Sequence, residues 1–437
     1  MEPTTLERYE GLIGHLRSLV GSEEFMERHR QKAKDFSRKR CLTFETVVLF
    51  LINMVKRALQ DELDEYFRAL RPGQPVAERV VSKSAFSQAR KKLKYSAFME
   101  LNEAQLAYFY EHFESQRWHG WRLLAIDGSL ADVPDTPELR KHFGVWGSRH
   151  GHGSAKGRLS QLFDVLNQVT LEATIQPKNR GERDLAATHL AQLGSGDLLL
   201  LDRGYPAFWL FAAIIKQNAH FCARLEVNKW KIAQRFIKSG ALEQRVTLFP
   251  SSKARRDCRE RGLPLEPLTL RLIRVDLPDN EIEVLISSLL DPSHFTYPEF
   301  KELYFQRWPV EEDYKVIKSR LQVENWSGRS VAAVYQDFYA TIFTKNLAAI
   351  VAQPAQQCLA HQTSTRKHPY QINMTNLISK LKDTLLHLFR DLDLPPLFQA
   401  LWHQMLRTIE PVRPNRSFPR KKPVKRKRFP MNYKSTR

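Results

Sequence analysis

The stretch Tyr304 to Lys318 sets one carboxylate between two cations. Arg307 stands four residues before Glu311, Lys318 seven residues after it, and Tyr304 three residues before Arg307. On a helix these steps bring Arg307, Glu311 and Lys318 to one side, while Val310, Ile317 and Leu321 mark a side that is buried. Two chemistries fit the pattern. One is a surface ladder of ion pairs, worth about a few tenths of a kcal/mol each. The other is a metal-binding acid whose basic neighbours clamp phosphates. Glu312 points about 100° away from Glu311 on a helix, and Glu324 is the alternative acid downstream.

Two further acids follow apolar runs. Asp127 comes after Leu123-Leu124-Ala125-Ile126, and Asp202 after Leu198-Leu199-Leu200-Leu201. Each run reads as a short buried strand with its acid at the carboxyl edge, where the active sites of α/β sheets gather. A carboxylate beside such a run costs several kcal/mol unless a cation or hydrogen bonds compensate. A divalent ion is one compensator, because hard oxygen ligands suit Mg²⁺. A turn or helix cap is the other reading. His142, His150 and His152, in a glycine-rich stretch after the first acid, read as a DNA-binding or solvated loop, with a metal role as the alternative.

The elements that must position these groups change texture along the chain. Residues 1 to about 115 read as helical, with apolar residues at helical spacing through Leu42 to Val55 and Leu59 to Phe67. Arg71-Pro72-Gly73 breaks the pattern, and a second helix starts at Ser82 or Ser84. Its other face carries Lys83, Arg90, Lys91, Lys92 and Lys94, which reads either as a helix-turn-helix DNA reader or as a solvated helix face. From Trp121 the order is a strand ending in Asp127-Gly128, a hairpin of Leu162–Leu166 and Val169–Ile175, a helix over 182–193, a strand ending in Asp202, a helix to Gln217 and a strand at Phe221–Leu225. Such an order predicts a mixed α/β sheet covered by helices, the order of ribonuclease-H-like folds. Residues 229 to 290 interrupt it with β-rich runs and read as an insertion. Helices resume near Pro298, and another covers Val331 to Ala352.

The chain has 437 residues, 42% of them hydrophobic, so a wholly disordered protein is excluded. Lys and Arg number 68 against 48 Asp and Glu, a formal charge of +20. That excess points to a polyanion, nucleic acid first and an anionic membrane second. The run Val47 to Ile52 is far short of the roughly 20 residues of a spanning helix, and the first twenty residues show no signal peptide, so no membrane role is expected. Cys41, Cys222, Cys258 and Cys358 form no C-x2-C pair, which suits a reducing compartment and argues against a zinc knuckle. From Arg413 to Arg437 there are 11 Lys or Arg and no acid. This tail is expected to be an extended, disordered arm that contacts phosphates or serves solubility.

The spacing Tyr304-x2-Arg307-x3-Glu311-x6-Lys318 matches the Y-x2-R-x3-E-x6-K signature of the fourth insertion-sequence family of bacterial transposases. Asp127-Gly128, Asp202-Arg203-Gly204-Tyr205, the β-rich insertion before the glutamate and the tail around Phe429-Pro430-Met431-Asn432-Tyr433 are also similar. The chain resembles that family from about residue 30 to 350. The resemblance implies a DDE transposase that moves its own element by cut-and-paste. Asp127, Asp202 and Glu311 would hold two Mg²⁺ ions, with Mn²⁺ able to substitute. Arg307 and Lys318, with Tyr304 assisting, would grip phosphates of double-stranded DNA, both terminal inverted repeats and target. It further implies a homodimer in the synaptic complex and a cytoplasmic protein, nucleoid-associated when bound to DNA. In some members an aromatic residue of the insertion holds a flipped base; Trp230 and Trp308 are the visible candidates, and hairpin formation stays open. Rival readings are a catalytically silent transposase-derived DNA binder, a ribonuclease-H-like nuclease without strand transfer, and an electrostatic RNA binder. The expected division is a helical DNA-binding region over 1–115, the core over 116–228, the insertion over 229–295 and the core's helical part over 296–355. A helical region over 356–412 and the tail over 413–437 complete it.

Overall fold

Runs as apolar as Leu198–Leu201 are stable in the middle of a sheet covered on both faces. In the computed structural model, which describes residues 3–38, 40–71, 79–147, 153–277, 281–390, 393–413 and 434, they lie there. The strands are β1 (Arg122–Asp132), β2 (Val145–Trp146), β3 (Ser154–Asp164), β4 (Val169–Gln176), β5 (Asp197–Leu201), β6 (His220–Leu225), β7 (Glu243–Leu248), β8 (Leu268–Asp276) and β9 (Ile282–Ser287). The chain divides into two compact units: one of Met1–Glu114, Ala131–Gly157 and Lys315–Arg437, the other of Ser115–Leu130 and Arg158–Tyr314.

The second unit holds the main sheet, in the order β4-β3-β1-β5-β6-β9-β8-β7. Strands β1, β5 and β6 are parallel neighbours, and β4 folds back antiparallel on β3 across Asn167-Gln168, as the hairpin pattern predicts. The five core strands thus lie third, second, first, fourth, fifth, the ribonuclease-H-like α/β arrangement expected. Residues 229–295 add β7, β8 and β9, and β9 pairs antiparallel with β6, so the insertion's strands continue the same sheet.

Alternation along the strands sorts the sheet's two faces. Leu124, Ile126, Leu199 and Leu201 pack in one cluster with Leu210, Phe211, Ala233, Phe236 and Cys258, which places the helices Phe208–Lys216, Lys231–Ser239 and Ser252–Glu260 over that face. Leu123, Ala125, Leu198 and Leu200 pack in the other, with Phe300, Leu303 and Val310 from the helices Glu299–Phe305 and Pro309–Lys315.

The first unit is mostly helical. Its central helix, Val331–Gln362, is buried at every position from Ala333 to Ala352 and starts at Ser330, whose side chain accepts from the Ala333 N–H. Burial on every side puts this helix inside the unit's core, and its buried Gln336 and Asp337 are bonded to Arg90 there. Among the described residues six shorter helices, Pro3–Gly21, Glu23–His29, Phe44–Ile52, Leu59–Ala69, Lys83–Arg90 and Ser96–His112, occupy the region expected to be helical, and Ser82 caps the fifth of them. Among the described residues no helix is long and apolar enough to cross a membrane. His150, His152 and the tail beyond Arg413, Lys434 excepted, lie outside the described residues.

Candidate active site

In the parallel pairing of β1 with β5, Ile126 stands opposite Leu201. Asp127 and Asp202 are the next residues of two neighbouring strands, about 5 Å apart at the backbone. Both continue the alternation of Leu123, Ala125 and of Leu198, Leu200, so their side chains fall on the face covered by Glu299–Phe305 and Pro309–Lys315. Tyr304 confirms this for the second acid, because its Oη donates to Asp202 Oδ1 (3.2 Å). One detail departs from expectation. Strand β1 does not end at Asp127 but runs on to Asp132; β5 stops first, and the first acid sits where its partner strand has run out.

The motif is not one continuous helix either. The helix Glu299–Phe305 closes, and Pro309 opens the next, since proline lacks the N–H and clashes with the preceding turn yet suits a first helical position. The contact survives the break: Arg307 Nη2 donates to Glu311 Oε1 at 2.6 Å. Arg307 is only 5% exposed, its guanidinium carbon lies 5.8 Å from the Tyr304 ring centre, and its Nε and Nη1 are buried with no hydrogen-bond partner among the described residues. Burial works against the Arg307 charge, yet Tyr304, Glu311 and Asp202 outweigh it and raise the pKa. The surface-ladder reading therefore fails for Arg307, whereas Glu311 is about one-third exposed.

Burial is the largest influence on Asp127 and pushes its carboxyl up to about 6. The Gly128 N–H and Arg307 pull it down, while Glu311 and Asp202 add to the rise. Arg307, Glu311 and Asp202 thus all act on the protonation of Asp127. Two tyrosines lie beside Asp127 and Gly128. Tyr314 Oη donates to the Asp127 carbonyl at 2.9 Å, and the Tyr205 hydroxyl lies 3.4 Å from where a Cβ on Gly128 would stand. Burial raises both phenols well above their usual value, with Asp127 adding to the rise. Tyr205 closes the Asp202-Arg203-Gly204-Tyr205 turn and Tyr314 lies one helical turn after Glu311, so a search one turn either side of the acids would have found both.

The other predicted residues, Trp230 and Trp308 apart, belong to the first unit. Lys318 belongs to the first unit, half-buried in a π-helical turn, Val316–Arg320. Glu324, also there, accepts from the Asp132 N–H (3.0 Å), and His142 Nε2 meets Tyr335 Oη at 3.0 Å. Lys83 and Lys91 are exposed and Lys92 half-buried. Arg90 corrects the expectation of a DNA-facing cation. It is 5% exposed, and its guanidinium bonds Asp337 Oδ1 (2.9 Å), Gln336 Oε1 (2.9 Å) and Ser327 Oγ (2.8 Å); the residue is an internal strut. Trp230 packs on the sheet face opposite the acids, against Phe211, whereas Trp308 is 46% exposed.

The Transposase DDE domain family matches residues 118–347, more than half of the chain and all three acids. The chain belongs to the DDE transposase family. It is 26% identical over 317 residues to transposase InsG for insertion sequence element IS4 of Escherichia coli K12, covering 71% of this chain and 70% of that one. Putative transposase InsZ of the same organism is 30% identical over 134 residues, 30% of this chain and 44% of that one. Among solved structures, a piggyBac transposase synaptic complex with hairpin DNA is similar over 90% of this chain and 85% of that one, with a TM-score of 0.47 and 11% identity. This DDE transposase is an enzyme of metal-dependent DNA cleavage, and the family's divalent ion needs hard oxygen donors. Two carboxylates at the ends of paired strands and a third on the helix over that face, the first disfavoured as an anion by burial, fit such an ion in kind. Among the described residues no three acids, His or Cys are yet grouped closely enough to hold a metal. Glu311 instead faces Arg307, which supplies the positive charge there.

Proposed function

We propose that this DDE transposase moves its own insertion sequence by cut-and-paste: it cuts at the element's terminal inverted repeats and joins the freed ends to target DNA. It acts in the bacterial cytoplasm as a homodimer that holds two ends together. The observation that supports this reading is that Asp202, Glu311 and Arg307 all act on the buried Asp127 carboxyl, with Arg307 bonded to Glu311. Asp127, Asp202 and Glu311 would hold two Mg²⁺, or Mn²⁺ in their place. When bound, such a pair activates the attacking oxygen and stabilises the leaving one in an in-line phosphoryl transfer.

The chain's own groups do the positioning. Tyr304 fixes one Asp202 oxygen by its hydrogen bond, and Tyr314 holds the Asp127 backbone. Arg307 keeps two donors without partners among the described residues, and a forked guanidinium suits two oxygens of one phosphate. Lys318, Lys83, Lys91 and Lys92 add point charges for the DNA backbone.

Replacing Asp127, Asp202 or Glu311 by alanine is expected to abolish cleavage of a duplex bearing the element's terminal repeat while leaving its binding largely intact. Glu312→Ala is expected to cleave normally. Wild-type cleavage by any of the first three variants would falsify the assignment.

A further inference from the structure

The helix Lys83–Arg90 is fixed on its inner side and bare on its outer one. Phe86 packs edge-on against Phe50 of the helix Phe44–Ile52, with ring centres 4.6 Å apart. At the start of the helix the Lys83 N–H donates to Gln60 Oε1 at 2.9 Å. At its end Arg90 is bonded to Asp337 and Gln336 of the central helix, so the internal strut holds this helix rigid. The outer side carries Lys83, Ser84, Ser87, Gln88 and, at the helical position just past the end, Lys91, all exposed. From Ser82 to Lys94 there is no acidic residue.

Two features set this face apart from an ordinary solvated one. Its middle is neutral: Ser87 Oγ donates back to the Lys83 carbonyl (2.8 Å), and Ser84 and Gln88 lie one turn apart on one line. Its ends are cationic, and among the described residues neither Lys83 nor Lys91 has a carboxylate within ion-pair distance. The eight steps from Lys83 to Lys91, at about 1.5 Å each, separate the two by roughly 12 Å along the axis. The major groove of B-DNA is also about 12 Å wide and admits a helix. A neighbouring segment adds charge at the Lys91 end. Arg30 bridges Leu93, and the Gln31 N–H donates to the Lys92 carbonyl at 2.8 Å. In the turn that follows, buried Asp35 accepts from the Lys32 N–H (3.0 Å), and Lys32 and Lys34 are left exposed.

Building on the transposase reading, we infer that Gln88 reads a base in the major groove of the terminal inverted repeat, with Lys83 and Lys91 on the phosphates that border the groove. A primary amide donates and accepts at once, which matches N6 and N7 of adenine. The Ser84 hydroxyl bonds either kind of base edge and discriminates little. Phosphate contacts fix register and carry no sequence information, so the choice of duplex falls to Gln88. The occupant is the duplex that is cut, because cutting at the element's ends demands a fixed sequence.

The test measures binding of the full-length protein, with divalent ions chelated so that nothing is cut. The probes are a labelled duplex of the terminal repeat and a scrambled duplex of the same length and composition. Gln88→Ala, an exposed change to a better helix former, is expected to lower the ratio of repeat to scrambled affinity about tenfold, the worth of one good bidentate contact. When the repeat is scanned with single base-pair changes, wild type is expected to lose most at one A·T pair. Gln88→Arg is expected to prefer G·C there, since a guanidinium fits O6 and N7 of guanine. Lys83→Gln combined with Lys91→Gln should weaken both duplexes alike and make the log–log salt slope shallower by roughly 1.8, at about 0.9 for each phosphate. An unchanged ratio in Gln88→Ala overturns this inference alone, as does Gln88→Arg with the wild-type base preference. A wild type that binds both duplexes equally overturns it together with the reading of a self-moving element. Loss of cleavage in the acid variants is measured separately and bears only on the chemistry.

Discussion

Replacing Asp127 by asparagine is expected to stabilise the protein while abolishing its chemistry. Burial lifts this carboxyl from 3.8 to about 6, so between those values the folded chain keeps a proton that the unfolded chain has released. Stability therefore falls as pH rises through that window, and above about pH 6 the full penalty is present. At about 1.4 kcal/mol per tenfold change in proton affinity, the penalty is about 2 to 3 kcal/mol. An amide has the same shape, still accepts from the Gly128 N–H, and carries no charge to bury. Urea unfolding followed by tryptophan fluorescence, with divalent ions chelated, should find Asp127→Asn more stable than wild type by about that amount near pH 8. The gap should close by about pH 4, and adding Mg²⁺ near pH 8 should narrow it by stabilising wild type alone. No gain near pH 8, or a gap that stays constant with pH, would refute the burial argument.

Arg307→Gln removes a cation that lowers the Asp127 pKa; the carboxyl should titrate above 6 by carbon-13 NMR, and a downward move would contradict the coupling. The same variant should lose about 1 to 3 kcal/mol of stability, because Arg307 bonds Glu311 from a buried position. Arg90→Ala should cost about 3 to 5 kcal/mol in thermal or urea unfolding, since it leaves the buried Asp337 charge without its cation, bonded only to neutral Ser327. Lys91→Ala should instead leave stability within about 0.5 kcal/mol and flatten the salt dependence of DNA binding by about one phosphate's worth. If Arg90→Ala changed only DNA binding, its role as a strut would be wrong.

How much of this was legible beforehand depended on how local each cause is. The runs Leu123–Ile126 and Leu198–Leu201 are too short and too apolar for anything but covered strands, so the sequence alone put an acid after each and set their order before Glu311. The four-residue step from Arg307 to Glu311 likewise announced their contact, and the contact holds although Pro309 divides the helix. Only the tertiary structure decided which acids share a face, because that follows from the register of Ile126 against Leu201 across a long chain separation. It also decided what each long cation does. Arg90 and Lys91 are neighbours with similar chemistry, yet one is sealed against Asp337, 247 residues away, and the other is exposed. A side chain's type and spacing declare what it can bond, but burial depends on what distant segment arrives to cover it, and no local pattern carries that information.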